Sequence, residues 1–178
     1  MERSRRRFAE HPHATFIQND GLTLEGVEDG SVDFVFSFDS LVHAERDVIE
    51  SYLHELARKL APDGIGFIHH SNVGQYANPT TLRLPFRNYG ARGRTMTAAV
   101  FAELCEAAGL ACTGQELINW HMEPLNDCLS LFTLPGSRFA RENVVVENPR
   151  FMDEAAAIRA VAELYGAPGF PGLQPADQ

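Results

Sequence analysis

The sequence contains no apolar run long enough to cross a membrane. A membrane-spanning helix needs roughly 20 consecutive apolar residues, and polar and charged residues interrupt every apolar stretch of this chain before that length. The basic cluster at residues 3–7 leads through Phe8 and Ala9 straight to Glu10. It therefore does not predict a secretory or twin-arginine export signal.

Cysteine and positive charge are also scarce. The three cysteines (Cys105, Cys112 and Cys128) are scattered and lack metal-ligand spacing, so we expect reduced thiols in a cytoplasmic protein. The net charge of −9 argues against a nucleic-acid partner, because phosphate binding depends on clustered Lys and Arg. The remaining composition, 44% apolar over 178 residues, is that of one ordinary globular domain.

One stretch organises the chain. Residues 32–38 are almost uninterruptedly apolar and rich in Val and Phe, and they follow a turn at residues 28–30. Such a run predicts a strand buried on both faces, as in a parallel sheet covered by helices. Polar residues return where it ends. Because ligands of open α/β sheets bind outside the carboxyl ends of the strands, we expect the chemistry there.

The next segment has the pattern of a helix followed by a second strand. Apolar residues recur every three or four positions from Val48 to Leu60, acidic residues precede them, and Arg58 and Lys59 close the helix, as the helix dipole favours. Residues 65–70 form the following apolar run. Together these segments predict a right-handed strand–helix–strand unit. The other predicted elements are a short strand at 14–18 with a turn at 19–21, an irregular loop at 74–94, a helix at 97–108, antiparallel strands at 110–120 and 127–134, a strand at 144–146 and a helix at 152–165.

Three motifs resemble a known family. Residues 30–37 (Gly-Ser-Val-Asp-Phe-Val-Phe-Ser) resemble the fourth strand of class I S-adenosylmethionine-dependent methyltransferases. Residues 52–64 resemble the helix that ends R-x-L-x-P-x-G in these enzymes, and residues 97–110 resemble the helix that ends EAAGL. The resemblance covers residues 14–134 and implies an α/β, Rossmann-like sheet with equivalents of strands 3 to 7, the last two antiparallel.

The chain departs from this family at its beginning. It has no G-x-G-x-G motif and starts in what would be the helix before the third strand. We therefore expect an N-terminally truncated sheet, with residues 1–166 as a single partial methyltransferase-like domain and residues 167–178 as a flexible tail. The strand at 32–38 would then expose an unpaired edge, which a homodimer or a second chain would cover.

The resemblance implies S-adenosylmethionine as cofactor, with binding in doubt for this chain alone. It assigns Asp20, with Asn19 and Gly21, to the adenine; the alternative is an ordinary turn-forming Asp. It assigns Ser37, Phe38, Ser40 and Leu41 to the lining of the sulfonium and adenine side. Ordinary packing at a strand end is the alternative.

His43 is the candidate general base. Methyl transfer to a hydroxyl needs a group of near-neutral pKa to take the proton, which suits imidazole. Asp39 would orient the base or bind a substrate hydroxyl, and Glu45 and Asp47 could hold the imidazole ring. The position of His43 leads us to expect an oxygen acceptor on a small molecule such as a sugar, although no residue specifies a sugar. An Asn-Pro-Pro-Tyr motif of amino-methylating enzymes at residues 37–40 would contradict this, but these residues read Ser-Phe-Asp-Ser. A surface His and a turn-capping Asp are the alternatives.

Further polar residues are candidates for substrate binding. Adjacent strand residues point to opposite faces, so at most one of His69 and His70 can face the cleft. The predicted set is His70, Asn72, Arg92 and Arg94. No compact metal-ligand motif joins the histidines, and no metal is predicted. Two other hypotheses stay open: a non-catalytic remnant or partner-completed subunit acting through its sheet edge, and a metal-dependent hydrolase.

Overall fold

The computed structural model describes residues 2–121 and 123–165. Its centre is a five-stranded sheet in the order β1-β2-β4-β3-β5. The strands are β1 (Val32–Leu41), β2 (Leu60–Ser71), β3 (Ala111–Ile118), β4 (Asp127–Thr133) and β5 (Val145–Asn148). The helices are α1 (Glu2–Arg7), α2 (Arg46–Lys59), α3 (Ala98–Ala107) and α4 (Phe151–Tyr165), with a 3₁₀ turn at Val73–Tyr76.

The strand directions match the sequence prediction. β1 and β2 are parallel and are joined by α2, which confirms the strand–helix–strand unit. β4 runs antiparallel to both of its neighbours, which confirms the antiparallel final pair. The short run predicted at 144–146 becomes β5, parallel to β3. The chain thus has the expected α/β, Rossmann-like architecture.

Helices α2 and α3 cover one face of the sheet and form the core with it. Ile49 and Leu53 of α2 and Phe101 of α3 are completely buried, together with Ile68 and Phe132 from the sheet. Each such side chain contributes about 1.5–3 kcal/mol by leaving water. Thr97 begins α3 as its N-cap, because its hydroxyl accepts a hydrogen bond from the backbone N–H of Val100 at 3.0 Å.

The opposite face of the sheet corrects one prediction. Phe34, Phe36 and Phe38 point to this face, where 59%, 65% and 40% of each is exposed. β1 is therefore buried on one side only. The physical reason is that, within the described residues, α2 and α3 pack on the other side and nothing comparable covers this one. We call the surface formed by Phe34, Phe36, Phe38 and Phe67 the phenylalanine face.

The structure also corrects the expected strand at residues 14–18. This segment is irregular, and in the described part of the chain no strand lies beside it to complete its hydrogen bonds. A strand needs such a partner, since its backbone groups are satisfied only across a ladder. The chain beyond it is held on α2 instead: Ser51 donates to the carbonyl of Leu22 at 2.8 Å. Leu24 N–H donates to Glu55 at 3.1 Å.

The last predicted elements lie partly outside the described residues. Helix α4 forms as expected, but its apolar residues Ile158 and Val161 are exposed. The predicted tail, residues 167–178, lies outside the described part of the chain. None of the helices in the described ranges is long and apolar enough to cross a membrane.

Candidate functional site

The candidate site lies where β1 and β2 end. The ladder between β1 and β2 is irregular between Ser37 and Leu41, and the chain leaves β1 after Leu41 and meets the loop at residues 91–95. Gly93 N–H donates to the carbonyl of Val42 at 3.0 Å, and a Cβ at Gly93 would lie only 2.2 Å from the carbonyl oxygen of Ala44. Only glycine permits this close approach, so the predicted long loop is attached firmly to the strand end.

His43 is exposed at this edge, as expected of a group that meets a substrate. Its Nδ1 lies 3.2 Å from the carbonyl oxygen of Ala91. A carbonyl only accepts hydrogen bonds, so Nδ1 carries the proton and the lone pair of a neutral ring is on Nε2. This is the tautomer in which Nε2 accepts a proton.

Glu45 does not hold His43, contrary to expectation. Its carboxylate accepts hydrogen bonds from the backbone N–H groups of Arg94 and Thr95, at 3.0 and 2.9 Å, and from the Thr95 hydroxyl. Partial burial acts to raise the pKa of Glu45, but these hydrogen bonds outweigh it and lower the pKa below its usual value. Glu45 thus attaches the start of α2 to the loop.

Asp39 lies in the irregular part of β1, between Ser37 and Leu41. It has a φ of +53°, in the left-handed region of backbone conformation that residues other than glycine rarely adopt. Its backbone N–H donates to Nδ1 of His69 at 3.2 Å. The hydroxyls of Ser37 and Ser40 lie 2.8 Å apart and bond each other. Leu41 packs against the core, while Phe38 lies against His69 and Trp120.

Beneath this part of β1 lies a buried cluster of three charged or polar side chains. Asp127 accepts a hydrogen bond from Nε2 of His69 at 3.1 Å. It also accepts from Nε and Nη2 of Arg92, at 3.0 and 2.8 Å. Burial acts to raise the pKa of Asp127, but the hydrogen bonds from His69 and Arg92 outweigh it and hold the pKa below its usual value. We call His69, Asp127 and Arg92 the buried triad.

The predicted adenine turn is exposed and well formed. Oδ1 of Asp20 accepts hydrogen bonds from the N–H groups of Leu22 and Thr23, at 2.9 and 2.7 Å, and from the Thr23 hydroxyl. These bonds lower the pKa of Asp20. Asn19 donates to the carbonyl of Thr23 at 2.8 Å, and Gly21 has a φ of +84°. The Asp20 carboxylate is therefore charged and oriented, with all of these bonds on one oxygen.

Two predicted substrate residues belong to the core instead. His70 faces α3, where its ring stacks on Phe101 with the centroids 4.4 Å apart. His69 therefore lies on the opposite face of the sheet. Asn72 is completely buried. It donates to the carbonyl of Leu125 and accepts from Ala98 N–H, both at 2.9 Å. Neither side chain faces a cleft, because strand alternation and the packing of α3 decide where each one points.

The two predicted substrate-binding arginines lie in different environments. Arg92 is 7% exposed and its guanidinium is committed to Asp127, which corrects its expected role in holding a substrate. Arg94 is exposed at the site, and its backbone N–H, rather than its side chain, holds Glu45. Arg94 stays the candidate for contact with an anionic or hydroxylated substrate.

Sequence reasoning missed the buried triad. The sequence singles out His69 only beside His70, as a candidate cleft or metal-binding histidine, and it offers Asp127 only as the first residue of a strand. Because β4 runs antiparallel to β2, its first residue lies beside the last residues of β2: Asp127 pairs with Ser71. The available signal was the predicted antiparallel pair itself, which brings the start of one strand to the end of another.

Residues 2–121 and 123–165 contain no group of three or more His, Cys, Asp or Glu side chains arranged to hold a metal.

Comparison with known proteins supports the family resemblance. A family model described as a methyltransferase domain matches residues 1–64 of the 178. The structure is similar to that of the PH0226 protein from Pyrococcus horikoshii, at 19% identity and a TM-score of 0.51, covering 74% of this chain and 66% of that one. It is also similar to a TehB-like SAM-dependent methyltransferase from Corynebacterium glutamicum, at 20% identity and a TM-score of 0.46, covering 71% of this chain and 60% of that one. A search of curated proteins found no match.

The family match confirms the resemblance to methyltransferases over residues 1–64, and the cofactor that the resemblance implies is S-adenosylmethionine. The likeness to the Pyrococcus protein is one of fold. The chain spans between 60% and 66% of the length of the two solved structures.

The residues present fit one part of S-adenosylmethionine. The charged Asp20 carboxylate suits the adenine amine, and the strand end with Ser37 and Ser40 has hydroxyls for polar groups. The 178 residues contain no G-x-G-x-G loop, whose backbone N–H groups and close approach would hold the methionine end. The described residues thus include those that the resemblance assigns to the adenine and lack the loop that would hold the methionine end.

Proposed function

We propose that this protein takes part in S-adenosylmethionine-dependent methyl transfer to a hydroxyl of a small, sugar-like molecule. The observation that carries the proposal is the match of residues 1–64 to a methyltransferase domain. The exposed polar end of β1 lies within those residues. The three free thiols among the described residues suit a cytoplasmic location.

The chain's own residues would have two tasks. Asp20 would accept a hydrogen bond from the adenine amine, using the oxygen that the turn leaves for a ligand. Ser37, Phe38, Ser40 and Leu41 would line the adjoining part of the cofactor. When bound, the cofactor supplies an electrophilic methyl group.

His43 would take the proton of the acceptor hydroxyl. Its Nδ1–H donates to the Ala91 carbonyl, so the free nitrogen is Nε2, and the ring is held in one orientation. General-base catalysis of this kind contributes typically about 10²–10⁴ in rate. Arg94, exposed beside the same loop, would contact the acceptor.

Calorimetric titration of the purified, folded chain with S-adenosylhomocysteine tests the cofactor assignment. We expect a dissociation constant in the micromolar range. Asp20→Asn is the informative variant, because the amide oxygen can still hold the turn while the NH₂ group cannot accept from an amine. The loss of a hydrogen bond to a charged group predicts affinity weaker by roughly tenfold or more.

Asp153→Asn is the matched control, since it removes a carboxylate from an exposed position on α4. It should bind like the unaltered chain. Absence of binding in a sample shown to be folded would contradict the proposal for this chain.

Methyl transfer to a panel of hydroxylated small molecules tests the role of His43. For any acceptor found, His43→Ala should lower kcat by at least about 10²-fold and leave affinity for S-adenosylhomocysteine unchanged. A variant with full kcat would remove His43 as the base.

A further inference from the structure

The ladder between β1 and β2 is irregular between Ser37 and Leu41, and a hydrogen bond from His69 supports the strained residue within this segment. Asp39 has a φ of +53°, a conformation that persists only when surrounding contacts maintain it. Its N–H donates to Nδ1 of His69, at 3.2 Å. His69 is completely buried, whereas Asp39 is exposed, so its N–H depends on His69 for a protein partner.

The hydrogen bonds of His69 fix its tautomer. Because Asp39 supplies the proton of one bond, Nδ1 of His69 must be the acceptor. Nε2 then carries the ring proton and donates it to Asp127, 3.1 Å away. Both nitrogens of a neutral imidazole are satisfied in this one arrangement, and rotation of the ring would break both bonds.

Asp127 is held in turn by Arg92. The guanidinium forms two bonds to the carboxylate, a geometry that fixes orientation as well as charge. The backbone of Arg92 is bonded on both sides by the Asn88 side chain, at 2.9 and 3.0 Å. The neighbouring Ala91 carbonyl is the one that accepts from His43.

We propose that the buried triad is a positioning network for the end of β1, in which His69 holds Asp39 and Arg92 holds the loop that orients His43. In this network the triad acts on Asp39 directly and on His43 through the loop that carries the Ala91 carbonyl. Its consequence for methyl transfer rests on the proposed function, but the hydrogen-bond network itself does not.

The first test needs no substitution. The ¹⁵N chemical shifts of the His69 ring should show a proton on Nε2 and none on Nδ1. Protonation at Nδ1 would overturn the proposal, because that tautomer cannot accept from Asp39.

The second test compares three variants by amide hydrogen exchange at Asp39. His69→Phe keeps a ring against Phe38 and Trp120 but removes both bonds, and should accelerate exchange at Asp39 by at least about tenfold relative to Ile68 in the same sheet. His69→Gln can accept from Asp39 and donate to Asp127, so it should restore protection. His70→Phe is the matched control: it removes the adjacent buried imidazole from the other face and should leave Asp39 unchanged.

The affinity for S-adenosylhomocysteine separates the two proposals. If the unaltered chain binds, His69→Phe should weaken binding and His69→Gln should restore it. If the unaltered chain does not bind, the proposed function fails, and the exchange data still decide the role of the triad. Equal exchange at Asp39 in all three variants would overturn the positioning network. If His69→Phe does not fold, the double variant His69→Phe with Asp39→Gly replaces it, since glycine adopts a φ of +53° without support.

Discussion

At the scale of residues, His69 and His70 show how one step along a strand changes chemistry. His69 is bonded to a backbone N–H and a carboxylate, whereas His70 lies under α3. His70 donates from Nδ1 to the carbonyl of Ser71 and accepts at Nε2 from Ser130, both at 2.8 Å. Burial lowers the pKa of His70 from its ordinary 6.5 to about 4, so His70 is a neutral core residue.

This burial predicts a pH dependence of stability. Below about pH 6.5 the unfolded chain binds a proton at His70, while the native chain does not until about pH 4, so the free energy of unfolding falls as the pH falls through this range. A depression of this size corresponds to roughly 3 kcal/mol. Urea unfolding of the unaltered chain and of His70→Gln at several pH values measures it.

His70→Gln keeps a donor and an acceptor but does not titrate, so its stability should decrease less on acidification. The difference between the two curves isolates His70 from carboxylates such as Asp127, which titrate in both proteins. Identical curves would show that His70 is not neutral in the core.

At the scale of elements, the contact between β2 and β4 depends on a glycine. Gly66 lies on the face covered by helices, beneath the ring of Phe132, and a Cβ placed there would come within 2.0 Å of that ring. Phe132 is completely buried and also packs on Phe101. The ring lies flat on β2 because residue 66 has no side chain.

Gly66→Ala should therefore destabilise the protein although alanine suits a strand no less than glycine does. Overpacking of a filled core costs about 1–3 kcal/mol, measured by chemical unfolding. Gly136→Ala is the control, since a Cβ there has no atom within 4 Å. Equal stability of the two variants would show that Phe132 moves aside freely.

At the scale of the whole molecule, the chain has one covered and one open sheet face. β1 pairs only with β2 among the described strands, and it carries the phenylalanine face beside its open edge. Edge strands are usually protected by charge, proline or covering structure. Residues 34–38 contain neither a charged residue nor proline.

We expect the purified chain to self-associate through this edge. Antiparallel pairing centred on Val35 would place Phe34 opposite Phe36 and Asp33 opposite Ser37, whereas pairing centred on Phe36 would oppose Asp33 to Asp39. Like charges directly opposite destabilise a pair, so the first register is favoured. Sedimentation should show association that rises with concentration.

Phe36→Lys should shift this association to higher concentration, because it places a charge in the middle of the edge. Ile158→Lys is the control for general surface hydrophobicity, because Ile158 is an apolar residue of α4 that is 70% exposed. This variant should associate at the same concentration as the unaltered chain. A monomer at every concentration would show that the edge does not pair with a second copy.

The sequence by itself determined the order of the main elements and the edge at which polar residues gather. Local patterns specify these features: the apolar spacing in α2, the capping Thr97, Gly109 after α3 with its φ of +79°, and the abrupt change of polarity after Phe38. The match to the methyltransferase motifs follows from the same local signals. His43 is exposed just past the end of β1, and its role as the base stays a prediction.

Only the tertiary structure decided which side chains meet. Residues 14–18 have the composition of a strand but no neighbouring strand in the described structure, and His70 has the position of a site residue but faces α3. Arg92, 35 residues before Asp127 along the chain, bonds it because an antiparallel strand starts where β2 ends. Burial and pairing are properties of partners distant in sequence, and no local pattern encodes them.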